Sequence, residues 1–337
     1  MESEASAGKK IKKVGTHSGT FHCDEVTATA LLQHHVPSMK NSELVRSRDD
    51  ADLQQCDCVV DVGGIYDSNA ARFDHHQPSF SHTYNSNFST KLSSAGLVWK
   101  HFGSFIVRDM LGWDNECSEH VHTVKDMVYR TFIHEIDAID NGVQRFDCDS
   151  PPRYEANTHL SARIARLNPK WNDSNRSPER QMELFMQSQK IALAEAHDHV
   201  HEAAHVALPA RNVVDSALAS RFTHEEHGRL LVLSNGGVPW KELLFELESS
   251  PGSVKYVLYE DVGGSSWRVQ AVPQMLGTFT SRLPMPHSWR GLRGEELSEA
   301  TGVDGCVFCH TAGFIGGNNT FEGAKQMAKE ALKQTEQ

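Results

Sequence analysis

The stretch Gly15-Thr16-His17-Ser18-Gly19-Thr20-Phe21-His22-Cys23-Asp24-Glu25 decides how the first half of this chain is read. Residues 11–17 read as a β-strand, and residues 24–35 as a helix in which Val26, Ala30 and Leu31 recur at helical spacing. Between them Ser18-Gly19-Thr20 turns the backbone tightly, so His17, His22 and Asp24 can converge from one loop. Strand, short loop and helix open a βαβ unit, and the pattern continues downstream. Residues 43–48, 58–61 and 71–74 read as further strands, and residues 94–102 and 118–140 as helices. Loops are expected at Gly63-Gly64 and over residues 79–89. The expected fold class is therefore α/β, with a mostly parallel sheet flanked by helices.

From Ser177-Pro178 the pattern changes. Pro178 suits a first helical turn, and the run to about residue 205 lacks Pro and Gly, so one long helix closed by Pro209 is expected. Beyond it, residues 230–233, 254–259, 267–272 and 306–310 read as strands and residues 239–247 as a helix. A Gly-rich loop after His310 and an amphipathic helix over residues 320–333 end the chain. The expected organisation is a disordered basic N-terminus (residues 1–13), a metal-binding catalytic domain (14–177), a connector helix (178–208) and a smaller, substrate-binding α/β domain with a mixed sheet (209–337). A length of 337 residues accommodates two domains of roughly 150 residues each.

Charge narrows the partners. With 33 Lys and Arg against 44 Asp and Glu, the net charge of −11 argues against tight, sequence-independent binding to duplex nucleic acid. A nuclease remains open, because divalent ions neutralise both an acidic site and substrate phosphates. No apolar run approaches the ~20 residues of a spanning helix, so no membrane partner is expected. Lys9, Lys10, Lys12 and Lys13 read as a solvated start to the first strand. The seven cysteines, an odd number, suit a reducing compartment. An intracellular protein is expected, with nucleus, cytoplasm and mitochondrion all open, and a homodimer is neither required nor excluded. Two short patterns are read as coincidence. Cys306-Val-Phe-Cys309-His310 matches a haem-attachment string, and His201-Glu-Ala-Ala-His205 matches a zinc-protease string on the long helix.

Four clusters carry chemistry. His17, His22 and Asp24 form the first; Asp61, ending an apolar run and followed by Gly63-Gly64, is the second. Asp74-His75-His76 is the third, and Asp137 with Asp140 the fourth. A single strand-end Asp usually forms a turn. Several such clusters at strand ends of one parallel sheet instead fit a site at the carboxyl edge, where open α/β sheets bind ligands. Mixed carboxylate and imidazole donors favour Mn²⁺, with Fe or Zn²⁺ as alternatives. The donors outnumber what one ion takes, and two ions ~3.5–4 Å apart are a common device for phosphoester hydrolysis.

The series His17-x4-His22-x-Asp24, Asp61, Asp74-His75-His76 and Asp137/Asp140 resembles the four motifs of the DHH phosphoesterase superfamily. The strings GTHSGTFHCDE, RFDHHQ, IDAIDNG and, near the end, FCHTAGFIGGNNTFEGA are similar to those of the melanocyte-proliferating-gene family of metal-dependent 3′–5′ RNA exonucleases. The resemblance implies a two-metal phosphodiester hydrolase acting on single-stranded RNA, with a small-molecule phosphohydrolase or a non-catalytic metal-binding regulator as alternatives. It implies that His17, His22 and Asp24 bind one metal, that Asp61 and Asp74 are shared, and that His76 ligates. His75 would assist the nucleophile and leaving group, and Asp137 or Asp140 would complete the second metal. His22 stands where the superfamily usually has Asp, which favours Mn²⁺ over Mg²⁺. The C-terminal domain would bind short oligonucleotide or single-stranded RNA through Arg268, Arg282, Arg290, His310, Gly316, Gly317 and Asn318, with Arg293 a further candidate.

Overall fold

Parallel pairing is what brings the N-terminal clusters together. The computed structural model describes residues 12–114, 117–146, 150 and 153–334, so the basic N-terminus up to residue 11 lies outside the described residues. The chain divides into two compact units, Met1–His205 and Val206–Gln337. In the first, β1 (Lys13–Thr16) leads through the His17–His22 loop into α1 (Cys23–His35), then β2 (Glu43–Arg46), α2 (Asp50–Gln54) and β3 (Cys58–Val60). A hairpin of β4 (Tyr66–Asp67) and β5 (Arg72–Phe73) follows. The sheet order is β2-β1-β3-β5-β4; the first four strands run parallel and β4 alone is antiparallel. Val14, Cys58, Val59 and Val60 are buried, as central strands covered on both faces must be.

Helices α3 (Ser94–Leu111), α4 (Ser118–Val128), α5 (His134–Asp140), α6 (Leu160–Ala165) and α7 (Pro178–Glu202) complete this unit. Helix α1 packs against α3 and α7 and is buried nearly all round, which explains its run of Val26, Ala28, Ala30, Leu31 and Leu32. Phe185 of α7 meets Phe21 edge-to-face at 5.5 Å, and Gln189 donates to Thr29 Oγ1. The helix expected over residues 118–140 is interrupted: Tyr129–Ile133 is a π-helical turn between α4 and α5. One extra residue in the turn rotates everything after it, and such insertions cluster at functional sites.

In the second unit the expectation that Pro209 ends a helix is corrected. Ala203–Ala207 is a second π-turn and α8 (Leu208–Ser220) begins at the next residue, so Pro209, which has no N–H to give the ladder, stands just after the wider turn rather than at a helix end. Next come β6 (Leu230–Val232), α9 (Trp240–Leu247), β7 (Tyr256–Glu260), β8 (Trp267–Ala271), α10 (Gly294–Thr301), β9 (Cys306–Cys309), β10 (Ile315–Asn318) and α11 (Phe321–Gln334). The sheet order is β6-β7-β8-β10-β9, with β6–β7 parallel and the rest antiparallel, so this sheet is mixed. The expected Gly-rich loop is largely β10, an interior strand. Its glycines are steric: a Cβ on Gly316 would stand 2.8 Å from Met327 Cε and 3.1 Å from the Phe308 carbonyl oxygen. Cys306 and Cys309 are buried in the core with Trp289 and Met327, which accounts for the haem-like string. Among the described residues no helix is long and apolar enough to cross a membrane.

Candidate metal centre

The carboxyl ends of β1, β3 and β5 lie side by side, and the residue after each strand carries a donor. These are His17, Asp61 and Asp74. Asp61 has φ +62°, a left-handed conformation that Asp tolerates better than most side chains. Its Oδ2 lies 3.3 Å from His17 Nε2 and its Oδ1 3.1 Å from His75 Nε2. His17 Nε2 also reaches Glu25 Oε1 at 3.0 Å, while its Nδ1–H donates to the Ser18 carbonyl at 3.1 Å. That second bond fixes the ring and aims Nε2 at the carboxylates. Glu25 was not picked out as a donor by the sequence reading. Its signal was its position three residues after His22, whose N–H it accepts at 2.9 Å, in a capping box.

Around His75 stand three carboxylates. Besides Asp61, Nε2 is 3.3 Å from Asp140 Oδ2 and 3.8 Å from Asp24 Oδ2. Asp24 accepts from Ser94 Oγ at 2.8 Å, but its Oδ1 is buried without a partner. Three overlapping groups could hold an ion: His17, His22, Glu25 and Asp61; Asp61, His75 and His76; and Asp24, His75 and Asp140.

The structure brings Asp140, rather than Asp137, to this cluster. Asp137 Oδ1 accepts from Ser93 N–H at 2.9 Å and Ser93 Oγ at 2.7 Å, and Oδ2 accepts from Tyr129 Oη at 2.9 Å. The π-turn supplies that tyrosine. Asp74 likewise has its oxygens occupied, by Gly64 N–H and by the His76 backbone N–H and ring Nδ1, the last at 2.8 Å. His76 is 62% exposed at the side chain. A cleft of ≈ 730 Å³ opens over the cluster; its lining includes His22, Asp24, Asp61, His75, His76 and Asp140 together with the apolar Ile136, Ile139 and Ala162.

Electrostatics agree with a cation site. Burial, followed by the charges of Asp61, Asp140 and Glu25, pushes Asp24 far above the usual carboxylate range. Asp140 is raised by burial and by Asp61, with His75 opposing. Burial would discharge His17, but hydrogen bonds to Asp61 and Glu25 outweigh it and lift its pKa to about 10. Burial opposes the charge on Asp61 too, yet bonds from His17 and His75 hold it well below the ordinary range. Without an ion, Asp24, Asp140 and His17 are biased toward their protonated forms while Asp61 stays charged, all within one buried cluster. A divalent cation satisfies the same charge and the orphaned Asp24 Oδ1, so the residues fit a metal.

The substrate candidates of the second unit have partners inside that unit. Arg282 pairs with Glu248 at 2.8 Å and donates to the Val254 carbonyl. Arg268 pairs with Asp261 at 2.8 Å, and Arg290 Nε donates to the Met285 carbonyl. Asn318 is fully buried, bonding the Asp304 carbonyl and Thr320 N–H. Gly316 and Gly317 sit within β10, while His310 is exposed, its Nδ1 accepting from Ala312 N–H.

A buried His/Asp/Glu cluster at the carboxyl edge of a largely parallel sheet defines the chain as an α/β protein with a candidate metal centre. It belongs to the MYG1 family, described as uncharacterised protein family UPF0160, whose family model matches residues 13–332. It is 46% identical over 330 residues to the "MYG1 exonuclease" of Mus musculus, covering 96% of this chain and 85% of that one. The Homo sapiens "MYG1 exonuclease" is 44% identical over 330 residues, with 96% and 86% covered. The "MYG1 protein" of Dictyostelium discoideum is 41% identical over 329 residues, with 95% and 96% covered. Among solved structures, RecJ in complex with Mn²⁺ from Thermus thermophilus shares 12% identity at a TM-score of 0.24, covering 95% of this chain and 52% of that one. From a likeness that slight neither fold nor activity transfers.

Proposed function

We propose that this chain is a two-metal phosphodiester hydrolase that shortens single-stranded RNA from its 3′ end. One observation carries the reading: Asp61 and His75 each belong to two of the three overlapping donor groups, so adjacent ions would share ligands. His17, His22, Glu25 and Asp61 would hold one ion, and Asp24, His75 and Asp140, with Asp61 between, the other. Mixed imidazole and carboxylate donors suit Mn²⁺. When bound, the ions supply an acidified water and neutralise charge on the phosphate. Kinship with relatives called exonucleases supports a nuclease; RNA and the 3′–5′ direction rest on the motif resemblance.

The chain's own residues divide the remaining work. His75, buried among three carboxylates, suits the ligand set better than the free helper role. His76 has its Nδ1 tied to Asp74 and its ring open to the cleft. It is the better candidate to hold a proton at Nε2 for the leaving oxygen, which exchanges the roles expected of the two histidines. Ile136, Ile139 and Ala162 give the cleft an apolar wall against which a base or sugar can exclude water.

The net charge of −11 and a cleft of ≈ 730 Å³ favour short substrates, which keeps a small-molecule phosphohydrolase as the second reading. One panel separates them. Single-stranded RNA, single-stranded DNA, dinucleotides and pyrophosphate are incubated with Mn²⁺, Mg²⁺ or EDTA, with Asp74→Ala/His75→Ala as the blank. Stepwise, EDTA-sensitive loss of 3′ nucleotides from 5′-labelled RNA is the expected result. Cleavage confined to dinucleotides or pyrophosphate transfers the reading to small molecules, and no metal-dependent cleavage ends it.

A further inference from the structure

Two histidine strings that the catalytic reading leaves unused, His34-His35 and His197-x-His199-x-His201, meet in space although some 160 residues separate them. Helix α1 ends at His35, and α7 crosses it there. The rings of His35 and His197 lie 4.9 Å apart, and that of His201, one turn further along α7, lies 6.2 Å from His197. His35 Nδ1 donates to Asp109 Oδ2 at 2.9 Å, which leaves Nε2 as its free lone pair in the neutral ring. Lys40 pairs with the other oxygen of Asp109 at 3.2 Å.

We propose that His35, His197 and His201 form a second divalent-metal site, of the imidazole-rich kind that takes Zn²⁺, separate from the catalytic cluster. With Zn–N bonds of ~2.0–2.1 Å, two imidazoles on one tetrahedral ion have ring centres about 5 Å apart. The His35–His197 separation matches that figure; His201, 6.2 Å from His197, completes the set only by a change of rotamer, which its exposed position allows. Histidines at i and i+4 share one helix face, the usual way a helix offers two imidazoles to one ion. Asp109 supplies the carboxylate that commonly backs a zinc-bound histidine. Burial lowers the pKa of both His35 and His197; His197 also lowers His35, and His201 lowers His197. For His35 the Asp109 hydrogen bond opposes that fall, and for both residues the net direction favours the neutral ring that can bind a cation. An ion here would tie the end of α1 to α7.

The test uses the full, tag-free chain and Zn²⁺ itself. Zn²⁺ bound per chain is measured by calorimetry and by elemental analysis after gel filtration, for wild type and for His197→Ala/His201→Ala. The expected result is one Zn²⁺ fewer in the variant, with unchanged Mn²⁺-dependent hydrolysis. Asp109→Asn should retain that Zn²⁺ with an affinity roughly 10–100-fold weaker. Should the double variant fail to fold by circular dichroism, His201→Ala alone, at an exposed position, gives the same readout. Equal zinc stoichiometry and affinity in wild type and variant would overturn the site.

Discussion

Asp137→Asn separates a hydrogen-bonded carboxylate from Asp140, the candidate metal ligand three residues away. Burial is the main reason that Asp137 has a pKa raised from 3.8 to about 7, against the opposing bonds from Ser93 and Tyr129. The sign follows from linkage. A folded pKa above the unfolded one means that the folded protein binds the proton more tightly, so wild type loses stability as pH rises from about 4 to about 7. At 1.36 kcal/mol per pH unit, the loss between pH 5 and pH 8 is about 2.5 kcal/mol. Asparagine is the neutral isostere; it still accepts from Ser93, and its amide can donate to Tyr129 Oη. Urea unfolding in EDTA at pH 5 and pH 8 should therefore show Asp137→Asn gaining about 2.5 kcal/mol relative to wild type at the higher pH. Its hydrolytic rate with saturating metal should stay within about threefold of wild type, whereas Asp140→Asn should lose about 10²-fold or more. A pH-independent stability difference, or an inactive Asp137→Asn beside an active Asp140→Asn, would refute the assignment.

Three further outcomes follow from other parts of the molecule. Asp74→Asn weakens the acceptor that holds His76 Nδ1, and should lower kcat by about 10²–10⁴-fold while Mn²⁺ content by elemental analysis is unchanged. Glu248 lies buried with Arg282; burial opposes its charge, but N–H donors of Val254 and Gly252 and the Arg282 guanidinium hold its pKa below 4.5. Its stabilisation is complete above about pH 4.5 and fades as pH falls through the lower folded value, so Glu248→Gln should cost about 3–5 kcal/mol at pH 7 and progressively less in acid, read by urea unfolding. Gly316→Ala should cost about 1–3 kcal/mol in the same assay, because Met327 can yield but the Phe308 carbonyl, held in its strand, cannot.

The candidate metal cluster was legible where chemistry and topology repeat each other. His17, Asp61 and Asp74 each end a strand, and parallel pairing carries such ends to one edge without further information. The choice between Asp137 and Asp140 was not legible. It turns on a π-turn at Tyr129–Ile133, which no local preference announces and which aims Tyr129 at Asp137. Asp74 kept its expected neighbourhood, but its oxygens meet Gly64 and His76, a matter of hydrogen-bond direction that spacing does not encode. In the second unit the glycines after His310 looked like a phosphate-binding loop because local rules treat glycine as a breaker. Gly316 is instead demanded by Met327 and Phe308 across an interior strand. The arginines looked free for the same reason: the partner of Arg282 lies 34 residues away.

Asp61 belongs to two adjacent donor groups, so two ions bound there would share it. The rate of Mn²⁺-dependent shortening of single-stranded RNA by Asp61→Asn tests it most directly. The expected result is a loss of at least about 10³-fold that raised Mn²⁺ does not restore, because a neutral amide lacks the charge that a carboxylate shared by two cations supplies. A rate near that of wild type, or one insensitive to EDTA in either protein, would contradict it.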